Sequence, residues 1–190
     1  MVRARWLSAV VVAAACLWPR AARAGEAQFD IGANLGGSTW RGDWMTGGQL
    51  RLGYRFAHVV AIDAVVWEQY ATVDERTNTG LTVGVAGFIP WQRVRPFLRA
   101  FFIHQHEEGL VAVEEEPLGV LVGIGAGIRH RAGLGGTLGL EIPFKKSDHV
   151  EYLAFAGGTV TGFPDDTLGP AVYFSLAGGV GLNYSIPGMP

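Results

Sequence analysis

The sequence predicts an all-β fold: a closed, antiparallel, up-and-down barrel whose strands cross a membrane. Three observations predict it. Apolar residues recur at every second position in one run after another, which is the period of strands with one face in apolar surroundings. The connections between those runs alternate between short and long. The composition combines 49% hydrophobic residues with 17% charged and 28 Gly in 190 residues, a Gly content that disfavours helices although mean hydropathy is positive. With 15 Lys+Arg against 17 Asp+Glu, the net charge of -2 lacks the basic excess of a nucleic-acid binder.

The chain begins with an address. Arg3 and Arg5 precede an apolar stretch from Trp6 to Trp18, and Ala22-Arg23-Ala24 has the small-x-small form of a cleavage site. Residues 1–24 are therefore expected to be a secretory signal peptide and residues 25–190 the exported barrel domain. Pro19-Arg20 ends the apolar stretch short of the roughly 20 residues that a membrane-anchoring helix needs. Cys16, the one cysteine, falls inside this segment; a lipidated cysteine would want a Leu-like residue three positions earlier, where Ala13 stands. Cleavage after Ala24 removes Cys16 and four arginines, moving the net charge from -2 to -6, and leaves no thiol or disulfide chemistry.

Eight runs follow, near 27–39, 48–56, 59–70, 79–89, 94–105, 118–130, 134–144 and 170–186. Phe29, Ile31, Ala33 and Leu35 share a face against Gln28, Asp30, Gly32 and Asn34. Leu50, Leu52, Tyr54 and Phe56 oppose Arg51 and Arg55, and Val60, Ile62, Ala64 and Val66 oppose Asp63. Leu81, Val83 and Val85 alternate with Thr82, Gly84 and Ala86, and Leu98, Ala100 and Phe102 face away from Arg95 and Arg99, with Phe97 and Phe101 on the Arg side. Val120 to Ile128 alternates with glycines and Arg129, Leu138 to Phe144 with Thr137, Gly139 and Glu141, and Val172 to Tyr184 with Tyr173, Ser175, Gly179, Gly181, Asn183 and Ser185. Val150 to Val160 is a weaker ninth candidate, read as part of a long final loop because single-chain barrels of this kind have even strand numbers. Ten strands is the alternative count.

Residues 40–47, 71–78, 106–117 and 145–169 are expected as long loops rich in acids, and 57–58, 90–93 and 131–133 as tight turns. Short turns on one rim and long loops on the other are the habit of transmembrane barrels. Phe29, Tyr54, Phe56 and Tyr184 are placed toward the short-turn rim and Phe102, Phe144 and Phe174 toward the other, as interfacial girdles.

A soluble barrel would turn its polar face to water and carry Lys and Glu there. The polar face of these runs is instead mostly Gly, Ala, Ser, Thr and Asn, which suits a confined lumen. Asp30, Asp63 and Glu141 share the parity of Arg51, Arg55, Arg95, Arg99 and Arg129, and these eight are expected to form a lumenal ion-pair network that uses the multidentate geometry of Arg. In an eight-stranded barrel such side chains plug the interior.

Taken together, residues 25–190 resemble the small outer-membrane β-barrel proteins of Gram-negative bacteria, the eight-stranded OmpA/OmpX-like class. The resemblance rests on the signal peptide, the alternating strands, Arg95-Pro96-Phe97, and the closing pattern Gly179-x-x-Leu182-x-Tyr184, which looks like the assembly signal read by the barrel-insertion machinery. One departure is that the chain continues past the last aromatic through Ile186-Pro187-Gly188-Met189-Pro190. The resemblance implies a monomer in the bacterial outer membrane, with long acidic loops outside, contact with outer-membrane lipid and lipopolysaccharide, and a structural or surface-interaction role in adhesion, envelope integrity or defence. A narrow pore and a lipid-modifying enzyme are the alternatives.

The search for chemistry returns little. Gly123-Ile-Gly125-Ala-Gly127 and Gly133-Leu-Gly135-Gly136 complete no dinucleotide fingerprint, and no P-loop lysine follows; alternate glycines are read as leaving a narrow lumen unfilled. His104 and His106 lie on one strand face with Glu107, Glu108, Glu114, Glu115 and Glu116 following, a weak candidate pair for a divalent ion, but no third histidine is close in sequence and no metal is assigned. Ser147, Asp148 and His149 sit together in the expected final loop without scaffold or oxyanion hole, so no catalytic residue or cofactor is assigned.

Overall fold

The computed structural model describes residues 25–39, 42–73, 75–110, 113, 119, 124, 127–164 and 169–186. The expected signal segment with Cys16, Glu114 to Glu116, and Gly123 and Gly125 lie outside the described residues. Eight strands form one sheet: β1 (Glu26–Ser38), β2 (Trp44–Phe56), β3 (Val60–Ala71), β4 (Arg76–Phe88), β5 (Arg95–Gly109), β6 (Arg129–Lys146), β7 (Val150–Phe163) and β8 (Ala171–Ser185). Each pairs antiparallel with its chain neighbours, and β8 returns to β1, so the sheet is a closed barrel. Closure removes both sheet edges, and in lipid each unsatisfied backbone group costs several kcal/mol.

The period-two pattern dictates which face each side chain takes. On β1 the odd positions Phe29, Ile31 and Leu35 point outward and are exposed, while Gln28, Asp30 and Asn34 are buried inside. The same division runs around the wall, with Leu52, Ile62, Val83, Leu98, Leu138 and Leu176 outward and exposed; Phe102 reaches 72% exposure. An apolar belt of this extent belongs in lipid rather than water. Near the short-turn rim it ends in Phe29, Tyr54, Phe56, Tyr152 and Tyr184, and near the other in Trp44, Tyr70 and Phe174. Tyr54 and Phe56 meet edge to face at 4.7 Å, and Trp44 and Phe174 at 6.0 Å.

The barrel has the expected eight strands, but two segments exchange roles. Of the described residues in the run 118–130, Gly119 is helical, Ile124, Gly127 and Ile128 lie outside any strand, and β6 begins at Arg129, so the expected strand is not found there. Residues 131–133, expected as a turn, lie within β6, and Val150 to Val160, expected as loop, is the body of β7. Apolar residues alternating with glycine in 118–130 imitate a strand by periodicity alone. The Gly157-Gly158 pair weakens the pattern in β7, yet both glycines sit in the ladder opposite β6 and β8. The expected loop 145–169 thus reduces to a turn at 147–149 and a connection at 164–170. Phe144 moves to the short-turn rim, because β6 ends there, and Phe102 lies mid-wall in β5.

The alternation of rims survives this exchange, but the contrast in length does not hold throughout: 39–43 and 72–75, expected within long loops, are shorter than 89–94 on the opposite rim. Connections 57–59, 89–94 and 147–149 share one rim with both ends of the barrel domain; 39–43, 72–75, 110–128 and 164–170 share the other.

Candidate functional site

The lumen is filled by three tiers of polar side chains, with aromatic rings packed against their guanidinium groups. Nearest the short-turn rim, Arg55 donates from Nη2 to both oxygens of Glu141 at 2.7 and 2.6 Å, and its Nη1 lies 3.7 Å from Glu26. Arg55 and Glu141 are both 0% exposed, and the guanidinium lies 3.9 Å over the Phe88 ring. His58 Nδ1 sits 3.0 Å from Glu26 at the rim. In the same tier Arg95 pairs with Glu151 through Nη2 at 2.8 Å, and Asn183 donates to the same carboxylate at 3.3 Å.

The middle tier is tied to the first through Glu141, which also accepts from Arg51 Nη2 at 2.8 Å; Arg51 Nε pairs with Asp30. Across the lumen Arg99 donates from Nε to Asp63 at 2.6 Å and from Nη2 to the Thr82 hydroxyl at 2.8 Å. Buried charges persist when every one is paired and hydrogen-bonded. Here planar guanidinium groups bridge carboxylates from different strands, and Phe97 and Phe101 lie beneath Arg51 and Arg99 at 5.7 and 4.6 Å.

Toward the long-loop rim stands a third tier that sequence reasoning missed. Arg76 Nη2 lies 3.0 Å from Asp43, and Glu107 is approached by Arg131 at 3.4 Å and by Arg76 at 3.8 Å. Glu107 also accepts from the Tyr173 hydroxyl at 2.5 Å and from Gln105 at 3.0 Å. Asp43, Arg76 and Glu107 fell in segments expected to be loops, and Arg131 in an expected turn, so their parity was not counted. Arg129, expected in the lumenal network, is instead exposed at the start of β6, opposite Glu107 in register. It keeps the lumenal parity but stands one pair above Arg131, at the rim.

Between the middle and upper tiers a cavity of about 50 Å³, lined by Asn34, Arg51, Trp67, Arg99, Phe101 and Thr159 among others, has room for a few water molecules. The glycines do not leave the lumen unfilled as expected; they make room for what fills it. A Cβ on Gly135 or Gly139 would overlap the Phe101 or Phe97 ring, and one on Gly80 would overlap the Trp67 indole. Each ring comes from the residue directly opposite on the neighbouring strand.

On the outer wall His104 and His106 of β5 are joined by His130 of β6, which faces His106 across the ladder. Glu107 turns into the lumen, while Glu108 stays beside His106 at 4.0 Å. Ser147, Asp148 and His149 form the exposed three-residue turn between β6 and β7 on the short-turn rim, not part of a long loop. The Ser147 hydroxyl bonds the Val150 carbonyl at 3.2 Å. Gly179 lies on the lumenal face of β8 opposite Gly32, and Tyr184 faces outward at the short-turn rim, its ring 6.4 Å from that of His149. Leu182 is half-buried one outward position above Tyr184.

No protein-family model matches the sequence, and a search of curated proteins returns no match. Solved structures do match. The barrel superposes on Neisserial surface protein A with a TM-score of 0.55 at 17% identity, covering 85% of this chain and 97% of that one. The fold is that of the small eight-stranded outer-membrane β-barrels. The N-terminal barrel domain of Pseudomonas aeruginosa OprF matches with a TM-score of 0.51 at 18% identity over 84% of this chain and 99% of that one. Ail, the attachment invasion locus protein of Yersinia pestis, matches at 0.52 with 11% identity, over 86% and 99%. At these identities the small outer-membrane barrels and this chain share an architecture, with loops and lumen chemistry free to differ.

Proposed function

We propose that this chain is a monomeric integral protein of the bacterial outer membrane, exported by the cleaved segment 1–24, with a sealed lumen and a structural and surface-interaction role carried by its long-loop rim. The observation that carries the reading is the trio Arg51, Glu141 and Arg55 bridged across a fully buried lumen. Side chains from opposite walls meet there, so the interior serves rigidity rather than passage. What remains for contact with the outside is the rim formed by 39–43, 72–75, 110–128 and 164–170, raised on a stiff scaffold as functional loops commonly are. Adhesion, envelope integrity and defence are the roles that such a rim supports, in contact with lipid and lipopolysaccharide. Ail, a structural neighbour, is by its name an attachment and invasion protein. The pattern Gly179, Leu182 and Tyr184 would serve recognition by the insertion machinery.

The test has two stages. Fractionated cells should hold the protein in outer membranes, with a gel mobility that changes on boiling, and planar bilayers containing it should show no discrete conductance steps. A soluble, heat-indifferent protein sinks the reading, and discrete steps replace it with a narrow pore. Shortening 110–128 should then reduce cell attachment or envelope integrity; an unchanged phenotype in both assays removes the role from that loop.

A further inference from the structure

The outer wall carries a cluster that the sealed lumen does not use. His104, His106 and His130 each present a ring nitrogen such that all three lie within 4.8 Å of one another. His130 Nδ1 and His104 Nε2 are 3.3 Å apart. Two imidazole nitrogens bound to one tetrahedral zinc ion at about 2.05 Å each are themselves about 3.3 Å apart, so this pair already has the spacing of adjacent ligands. The three rings stand at 4.6 to 5.4 Å between centroids. We propose that His104, His106 and His130 form a three-imidazole site for a divalent transition metal of the zinc class, on the outer wall of the barrel just above the apolar belt.

The fold makes this juxtaposition. His104 and His106 share the outward parity of β5, and the β5–β6 register sets His130 opposite His106 and Ala132 opposite His104. The next outward pair inward is Phe102 with Leu134, both strongly exposed members of the belt. The site therefore sits where apolar wall gives way to polar surroundings. His104 and His130 are exposed and free to turn by the angstrom or so that brings the third nitrogen into range; His106 is buried, and among the described residues its Nδ1 has no hydrogen-bond partner. Glu108 Oε1, 4.0 Å from that nitrogen, likewise has no hydrogen bond among the described residues, while its other oxygen accepts from Thr77. A carboxylate behind a ligating imidazole fixes its tautomer and orientation. With Nε2 of His106 on the metal, Glu108 is placed to accept from Nδ1–H. Three neutral imidazoles suit Zn²⁺, Cu²⁺ or Ni²⁺ over Mg²⁺ or Ca²⁺, which prefer oxygen. Three protein ligands leave a fourth position on the exposed side for water or an outside group. The metal would clamp β5 to β6 at the base of the 110–128 connection.

The test is titration of the refolded, tag-free barrel in detergent with Zn²⁺ by calorimetry and with Co²⁺ by visible absorption, where tetrahedral nitrogen ligation gives an intense d–d band. One saturable site is expected. His130→Ala and His104→Ala should each weaken it at least tenfold and bleach the Co²⁺ band, and Glu108→Gln should weaken it by about tenfold. His58→Ala/His149→Ala, at the opposite rim, should leave it unchanged. The boiling-dependent gel shift verifies that each variant is folded. Absence of a saturable site, or a site that survives His130→Ala, overturns the proposal and leaves the pair as an imidazole–imidazole hydrogen bond.

Discussion

Glu141 holds the most demanding position in the molecule: a fully buried carboxylate shared between Arg51 and Arg55. Removing one partner of a buried ion pair leaves the others uncompensated, at a cost of about 3–5 kcal/mol. Glu141→Ala is therefore expected to lower the urea midpoint of the barrel in lipid vesicles by that equivalent, while Asp148→Ala in the exposed turn leaves it unmoved. Gly80 poses the opposite problem, since the nearest atoms a methyl would meet all belong to Trp67. Gly80→Ala should cost about 1–3 kcal/mol by overpacking. In a Trp67→Leu background the same change should cost under about 0.5 kcal/mol, and equal costs in the two backgrounds would show that the indole is not the constraint. Parity alone exposed Asp30, Arg51, Arg55, Asp63, Arg99 and Glu141 as lumenal candidates in the sequence. Their partners were not legible, because Arg95 stands opposite Glu141 in register yet reaches Glu151 of β7 instead. Parity gives the face of a residue and leaves its reach across the lumen open.

At the scale of elements, the membrane-embedded part of each strand was readable and the part above it was not. Lipid on one side and a polar interior on the other force a strict alternation; beyond the belt the outward face turns polar, as at Thr77, Thr79 and His106, and the contrast fades. Strands β2, β4 and β5 therefore run past their expected ends, and the tier of Asp43, Arg76, Glu107 and Arg131 lay hidden in what read as loops. Glycine caused the remaining error: it thinned the pattern in β7 and, alternating with apolar residues in 118–130, imitated a strand. The assignment of β7 can be tested by a residue that a ladder rejects. Ala156→Pro removes an N–H from a strand paired on both sides, where proline is not tolerated. It is expected to abolish the heat-modifiable form, whereas excising residues 113–124 should leave it intact; a folded Ala156→Pro barrel would return 150–160 to a loop.

For the whole molecule, the decisive pairing is the one between the two ends of the described chain. β1 and β8 run in register from Glu26 with Ser185 to Ser38 with Tyr173, and the Ile186 amide donates to the Gly25 carbonyl at 3.0 Å. Every other strand pair is local, but this seam links residues that are far apart in sequence, and such contacts form late and slowly. Until β8 arrives, the growing sheet has two open edges in or beside lipid, so no shorter piece of the barrel has a satisfied backbone. The seam also makes the starting point of the chain arbitrary. Joining Ile186 to Gly25 with a short flexible linker and opening the backbone between Gly119 and Ile124 should give a permuted protein of the same barrel, its new ends on the long-loop rim. Recovery of the boiling-dependent gel shift in that permuted chain is the expected outcome; its loss would mean that assembly depends on which strand comes last, and the order of synthesis would then be part of what the sequence encodes.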